Sequence, residues 1–385
     1  MARRHRGRGG GRSFYAREAA GLKIVFRADA STIVGTGHVV RCLALAVAAR
    51  AAGWHAEFVC RAHPGHMAHL IRAQGFAVHL LPAPLEAATI AAGDSYAAWL
   101  GVSQQQDAID TVAALRHSAA DWLVVDHYAL DAQWESTLLG LVPRLLVIDD
   151  LANRPHLCSV LIDQSLGLSG AARYAGLVPP ACMQLLGPHY ALLRPEFAAM
   201  RSQSLARRDA DQRLERVLLF MGGSDPHNET ARALQGLSQA TRVVQHIDVV
   251  VGQGYLYLDD LRRQAQACRV PLQVHLQTPR MAELMTQADL AVTSGGGVSW
   301  EKCTLGLPSL VTIVGDNQSL IAHELAATGA QFLLGRAEAI SVDDYTHALD
   351  RLDSGLLAAM SAKARGICDG QGTQRVLDQL MKDSG

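Results

Sequence analysis

A chain of 385 residues is long enough for two domains rather than one. With 49% apolar and 18% charged residues it reads as globular, and a formal net charge of −1 asks for neither nucleic acid nor an anionic membrane as partner. Seven scattered cysteines with no Cys-x-x-Cys pair indicate neither a disulfide framework nor a zinc site, which fits a reducing cytoplasm, and no apolar run approaches the roughly 20 residues of a membrane span.

Residues 1–20 stand apart. Arg3, Arg4, Arg6, Arg8 and Arg12 lie among glycines without apolar periodicity, and no apolar core follows them as a signal peptide would need. They read as a disordered extension. The first apolar run, Lys23 to Phe26, predicts a buried strand. A loop with Gly35 and Gly37 follows, then a helix over Val39 to Ala52 that stops at Gly53. His38 falls at the N-terminus of that helix. The positive end of the helix dipole works against an imidazolium there, and a neutral imidazole can take a proton, so the position suits a general base as well as a simple cap. Arg41, three residues on, shares the helix face and can pair with an acid or a phosphate.

Short strands are expected at Ala56 to Cys60, Ala77 to Leu81, Trp122 to Val125, Leu145 to Ile148 and Val160 to Ile162, with helices over His66 to Gln74 and Gln104 to His117. Three of these strands end in Asp126, Asp149-Asp150 and Asp163, where a parallel strand reaches the ligand edge of its sheet. Each aspartate can reach a ligand or cap the next turn. Capping is the expectation for Asp149 and Asp150, since adjacent acids on a strand end point in opposite directions and share no metal. The charged stretch Ser202 to Arg216 reads as a linker. A second βα series follows, with glycines again at strand-to-helix turns: Gly222-Gly223-Ser224 and Gly295-Gly296-Gly297. Largely helical sequence closes the chain from Val342. The expected organisation is a first Rossmann-like domain over 21–205 and a second over 206–385, facing each other across a cleft.

Glycine lets backbone N–H groups approach an anion, and the following helix adds its dipole, so three such loops in two halves favour a diphosphate in the cleft. Tight turns without a ligand are the alternative. No Gly-x-x-x-x-Gly-Lys-Ser/Thr and no Gly-x-Gly-x-x-Gly after the first strand occur, which leaves a triphosphatase and a nicotinamide or flavin enzyme unsupported. Glu301, one turn into the helix after the triple glycine, can accept from both hydroxyls of a ribose, or merely offset the dipole. Asn317 and Gln318 can bind sugar hydroxyls or cap.

In order along the chain, Gly35-Thr-Gly-His-Val-Val-Arg41, Val125-Asp-His-Tyr128, Gly187-Pro-His-Tyr-Ala-Leu-Leu-Arg-Pro-Glu-Phe197, Gly222-Gly-Ser-Asp225, Gly295-Gly-Gly-Val-Ser-Trp-Glu301 and Gly306-Leu-Pro308 with Asn317-Gln318 resemble the UDP-sugar hydrolases of pseudaminic acid biosynthesis. The resemblance covers about residues 22 to 350. It implies a GT-B fold similar to the UDP-N-acetylglucosamine transferase that makes lipid II. It implies a UDP-linked 2,4-diacetamido-2,4,6-trideoxy-L-altrose and water as substrates, with neither metal nor cofactor. By the same resemblance His38 is the base that activates water at the anomeric carbon, with C–O cleavage and inversion, and Tyr128 lies near the reacting sugar, where it can hold an acetamido group or the water; a half-buried aromatic with a satisfied hydroxyl is the alternative. Ser165 departs from the family's Asn after Asp163-Gln164, and the Arg-rich start lies outside its pattern. A glycosyltransferase of the same fold and a non-catalytic nucleotide-sugar-binding protein are the rival readings.

Overall fold

The computed structural model describes residues 21–84, 96–116, 118–167, 170–211, 213–242 and 244–384; the expectation for residues 1–20 lies outside them. The first half runs β1 (Lys23–Ala28), α1 (Gly37–Ala51), β2 (His55–Arg61), α2 (Ala68–Ala73), β3 (Ala77–Leu81) and α3 (Gln104–Leu115). It continues with β4 (Trp122–Asp126), α4 (Ala132–Ser136), β5 (Arg144–Ile148), β6 (Val160–Asp163) and β7 (Met183–Leu186). A long helix, α5 (Pro195–Ala210), leads to β8 (Arg216–Phe220), α6 (Glu229–Gln239), β9 (His246–Val251), α7 (Leu258–Ala267) and β10 (Leu272–Leu276). Then come α8 (Met281–Gln287), β11 (Leu290–Ser294), α9 (Val298–Leu305), β12 (Ser309–Ile313), α10 (Ser319–Ala327) and β13 (Phe332–Arg336). Helices α11 (Val342–Arg351), α12 (Ser354–Ala364) and α13 (Gly372–Ser384) end the described chain.

Among the described residues the strands form two sheets, a seven-stranded one of order β3-β2-β1-β4-β5-β6-β7 and a six-stranded one of order β10-β9-β8-β11-β12-β13. Their paired strands run parallel. The central strands are apolar on both faces, as a parallel sheet covered by helices requires: Ile24, Val25 and Phe26 of β1 and Leu290, Ala291 and Val292 of β11 are fully buried. In each sheet the strand order reverses once, between β1 and β4 and between β8 and β11. The loops at such a reversal diverge to opposite faces and leave a crevice outside the strand ends. This sheet order places every ligand-binding loop expected from sequence at, or next to, one of two crevices.

The halves exchange helices. Helix α5 packs on α8 and α9: Phe197 is buried with Trp300 and Leu305, and the Arg208 guanidinium donates to the carbonyls of Met285, Ala288 and Leu305 at 2.8–3.0 Å. The stretch read as a linker is therefore helical to Ala210, and the expected boundary between residues 205 and 206 falls inside this helix. In return, α13 buries Val376, Leu377 and Leu380 beside Val39, Cys42 and Ala46 of α1. The two chain crossings are tied side by side, because Thr373 Oγ1 accepts from Leu193 N at 2.9 Å and donates to its carbonyl at 2.8 Å.

Candidate functional site

The crevice of the first sheet is built from the loop after β1, the ends of β4 and β5, and the start of α1. Ala28 pairs with Asp126 across β1 and β4, so the strand order itself brings Asp126 under the first turn of α1. His38 lies there, nearly buried, with Nδ1 at 2.6 Å from Asp126 Oδ1. A carboxylate only accepts, so Nδ1 carries the hydrogen, and in the neutral ring the lone pair is left on Nε2. Nε2 makes no hydrogen bond with the described residues. Arg41 forks onto the same carboxylate, Nε to Oδ2 at 2.6 Å and Nη2 to Oδ1 at 2.7 Å. Burial works to raise the Asp126 carboxyl, but the Arg41 guanidinium, ahead of His38, overcomes it and holds the group well below the usual carboxylate range. Arg41, expected to meet an acid or a phosphate, is thus committed to acids, and its Nη1 reaches Asp150 Oδ2 at 3.0 Å.

Asp150 is a correction. It caps no turn; its Oδ1 accepts the Tyr128 hydroxyl at 2.6 Å. Asp149 does cap, accepting from Ala152 N at 2.9 Å, and also holds Arg154 at 2.7 Å. Tyr128 stands edge-on to His38 with ring centroids 4.7 Å apart. Tyr96 and Trp99 pack on its other sides at 5.0 and 5.9 Å, an aromatic wall that sequence reading missed because a helical turn between loops carries no periodicity. Beyond Trp99 lies a cavity of about 550 Å³ with Ile33, Val34, His63, His66 and Pro84 among its walls. Ser165, where the resemblance leads us to expect Asn, gives its hydroxyl to Asp163 at 2.6 Å.

The glycine loops divide. The turn Gly222-Gly223-Ser224 leads to α6, but Asp225 fills that helix start, accepting from Glu229 N and Thr230 N at 2.9 and 2.8 Å. Those two amides are thereby taken by a carboxylate of the chain itself. Gly223 instead faces the first half: a Cβ on it would lie 3.2 Å from Thr36 Oγ1. Two further bonds join the halves, His69 Nε2 with Gln253 Oε1 at 3.0 Å and Leu166 N to Glu324 Oε2 at 3.1 Å. The two crevices therefore face each other. The triple glycine differs. No side chain caps α9, and the amides of Gly296, Gly297 and Val298 bond to no other described residue. The α1 start, with Gly35 at φ 80° and Gly37 in its first turn, is likewise uncapped.

Gln318 is held inside the protein. Its Oε1 accepts from Gly295 N at 3.1 Å and Val314 N at 3.2 Å, so it braces the triple-glycine loop and leaves only its NH₂ for a ligand. Asn317 sits in the adjoining turn without a hydrogen bond from its side chain to the described residues. Glu301 is half-buried and accepts no hydrogen bond from the described residues; burial pushes its carboxyl up to about 7. Lys302 beside it is buried, donates to Thr293 Oγ1 at 2.9 Å, and is pushed down to about 7 by burial.

No protein-family model matches the chain. Among curated proteins it is similar to the UDP-2,4-diacetamido-2,4,6-trideoxy-beta-L-altropyranose hydrolase of Campylobacter jejuni, 22% identical over 80% of this chain and 97% of that one. It is also similar to the spore coat polysaccharide biosynthesis protein SpsG of Bacillus subtilis, 28% identical over 49% of this chain and 56% of that one. The chain spans little more than half the length of two of the curated relatives that it matches. Among solved structures, MurG of Acinetobacter baumannii superposes with a TM-score of 0.67 at 16% identity, over 94% of this chain and 99% of that one. At that identity the likeness carries the fold alone, and the fold is GT-B.

Proposed function

We propose that this chain hydrolyses a UDP-linked 2,4-diacetamido-2,4,6-trideoxy-L-altrose to UDP and the free sugar, as a step of pseudaminic acid biosynthesis. One observation carries the reading. A histidine at an open helix start has its Nδ1–H fixed on a buried carboxylate, which a guanidinium keeps ionised, and its Nε2 is unpaired. That is a general base held in one tautomer and one orientation. Nε2 takes a proton from water as the water oxygen bonds to the anomeric carbon from the face opposite the leaving group. The carbon–oxygen bond to the diphosphate breaks, its electrons leave with UDP, and the configuration inverts. The amides of Gly296, Gly297 and Val298 at the start of α9 offset the charge that develops on the diphosphate, and Glu301 accepts from the ribose hydroxyls. The domain limits proposed for the two roles are residues 21–194 for the base and 195–371 for the nucleotide.

The test is UDP release from that sugar nucleotide in ¹⁸O-water, without added metal or acceptor, with UDP-N-acetylglucosamine as control. Release specific to the first substrate with label in the sugar is expected. Label in UDP means attack at phosphorus and removes His38 from the mechanism. A second reading, transfer to a sugar acceptor, is favoured by the cavity of about 550 Å³ beside Trp99, which has room for another small molecule. Release that starts only on adding such an acceptor would select it.

A further inference from the structure

Tyr128 and Asp150 decide which way a hydroxyl points. A phenol has one hydrogen to give. The carboxylate of Asp150 accepts only, and its two oxygens are both engaged, Oδ1 by the Tyr128 hydroxyl at 2.6 Å and Oδ2 by Arg41 Nη1 at 3.0 Å. Arg41 is itself fixed by its fork on Asp126, so Asp150 cannot turn away without breaking that contact. With its hydrogen spent on Asp150, Tyr128 Oη offers the cleft lone pairs alone. The neighbouring ring, His38, also presents a lone pair, because its hydrogen is spent on Asp126. Two acceptors on rings whose centroids lie 4.7 Å apart, each with its hydrogen turned onto a buried carboxylate, match a molecule with two protons to donate.

We propose that Asp150 is a positioning residue that makes Tyr128 an acceptor, so that Tyr128 Oη and His38 Nε2 together hold the two protons of the attacking water. This rests on the hydrolase reading for its chemistry and on the hydrogen-bond pattern for its geometry. In the step itself, one water proton passes to His38 Nε2, the water oxygen bonds to the anomeric carbon, and the bond to UDP breaks. The other proton stays on the new sugar hydroxyl, still held by Tyr128 Oη. With both protons pinned, a water lone pair is left for the carbon.

Asp150→Asn tests the claim at constant volume. Arg41 donates only, so it claims the Asn carbonyl oxygen, and the Asn NH₂ then donates to Tyr128 Oη. Tyr128 must turn its own hydrogen into the cleft, where it opposes the water. The expected result is a 10- to 100-fold fall in kcat with KM and UDP affinity within about twofold. Tyr128→Phe alone should lower kcat similarly, and adding it to Asp150→Asn should cause no further loss. Losses that multiply, or a kcat of the double variant equal to the product of the two single effects, overturn the proposal; so does Asp150→Asn or Tyr128→Phe with parental kcat. A second measurement on the parent protein needs no turnover: the ¹H spectrum should hold a downfield hydroxyl resonance that disappears in Tyr128→Phe. Its absence in the parent refutes the Asp150 bond. If the parent releases no UDP while that resonance is present, the hydrolase reading fails and the polarity assigned to Tyr128 stands.

Discussion

Replacing Asp126 by Asn keeps its volume and reverses one hydrogen bond. Arg41 would claim the remaining carbonyl oxygen, the Asn NH₂ would donate to His38 Nδ1, and the ring hydrogen would move to Nε2, where the base must be free. Asp126→Asn is therefore expected to lose roughly 10²–10⁴-fold in kcat, as much as His38→Ala, with UDP affinity retained in both. Initial rates and calorimetric UDP titration check this; parental turnover in a folded His38→Ala protein ends the assignment. The same carboxylate is a stability switch. Its folded-state pKa is depressed, so its contribution is present above the unfolded value of about 3.9 and is lost as pH falls toward the folded value. The stability gap between the parent and Asp126→Asn should be constant near neutrality and close below about pH 4 in denaturant titrations. A gap independent of pH down to 2 would show that the folded protein does not favour the ionised form.

At the scale of elements, α9 and α6 start alike in sequence, each after a glycine turn, and differ in what fills the first turn. Asp225 closes α6, whereas nothing closes α9. Nucleotide affinity should therefore reside at α9. Glu301, with its carboxyl pushed up to about 7 by burial, is largely protonated below that pH and accepts well from ribose only above it. UDP affinity is expected to rise about tenfold between pH 6 and 8, since one titrating group changes its ionised fraction by that much across its pKa. Glu301→Gln should bind weakly and without that slope, which separates the protein's titration from that of the phosphate. Equal slopes in the two proteins would sink the ribose role. Much of this was legible in the sequence: glycine turns and apolar runs marked the strands and helices that line both crevices. Two of the four edge strands, β7 and β13, were not. Met183–Leu186 and Phe332–Arg336 are only partly buried, and the second carries a register shift opposite Val311 and Thr312, so neither shows the apolar run of a central strand. Asp126 was seen at a strand end but its partner was not, because that depends on β4 lying next to β1, a neighbour set by topology and 88 residues from His38.

Taken as a whole, the molecule is two sheets joined by a strapped double crossing, with α5 on the second half and α13 on the first. Rigid halves on a narrow tie are suited to closing over a ligand, which excludes water other than the one that reacts. The described arrangement brings Gly223 against Thr36, so close that a Cβ there would lie 3.2 Å from Thr36 Oγ1 and 3.3 Å from its methyl carbon. A longer side chain cannot be fitted without moving the halves apart. Gly223→Leu is therefore expected to hold the cleft open: a larger radius of gyration by small-angle scattering in the presence of UDP, and turnover reduced at least tenfold, with thermal stability near that of the parent. Thr36→Gly in the same chain removes the side chain in the way at a capping cost of only a few tenths of a kcal/mol, and should restore both the radius and most of the turnover. Restoration by a change on the opposite wall separates a cross-cleft clash from damage to the nucleotide loop itself. If Gly223→Leu loses turnover with an unchanged radius, or Thr36→Gly fails to restore it, the closeness of these two loops is not what couples closure to the chemistry.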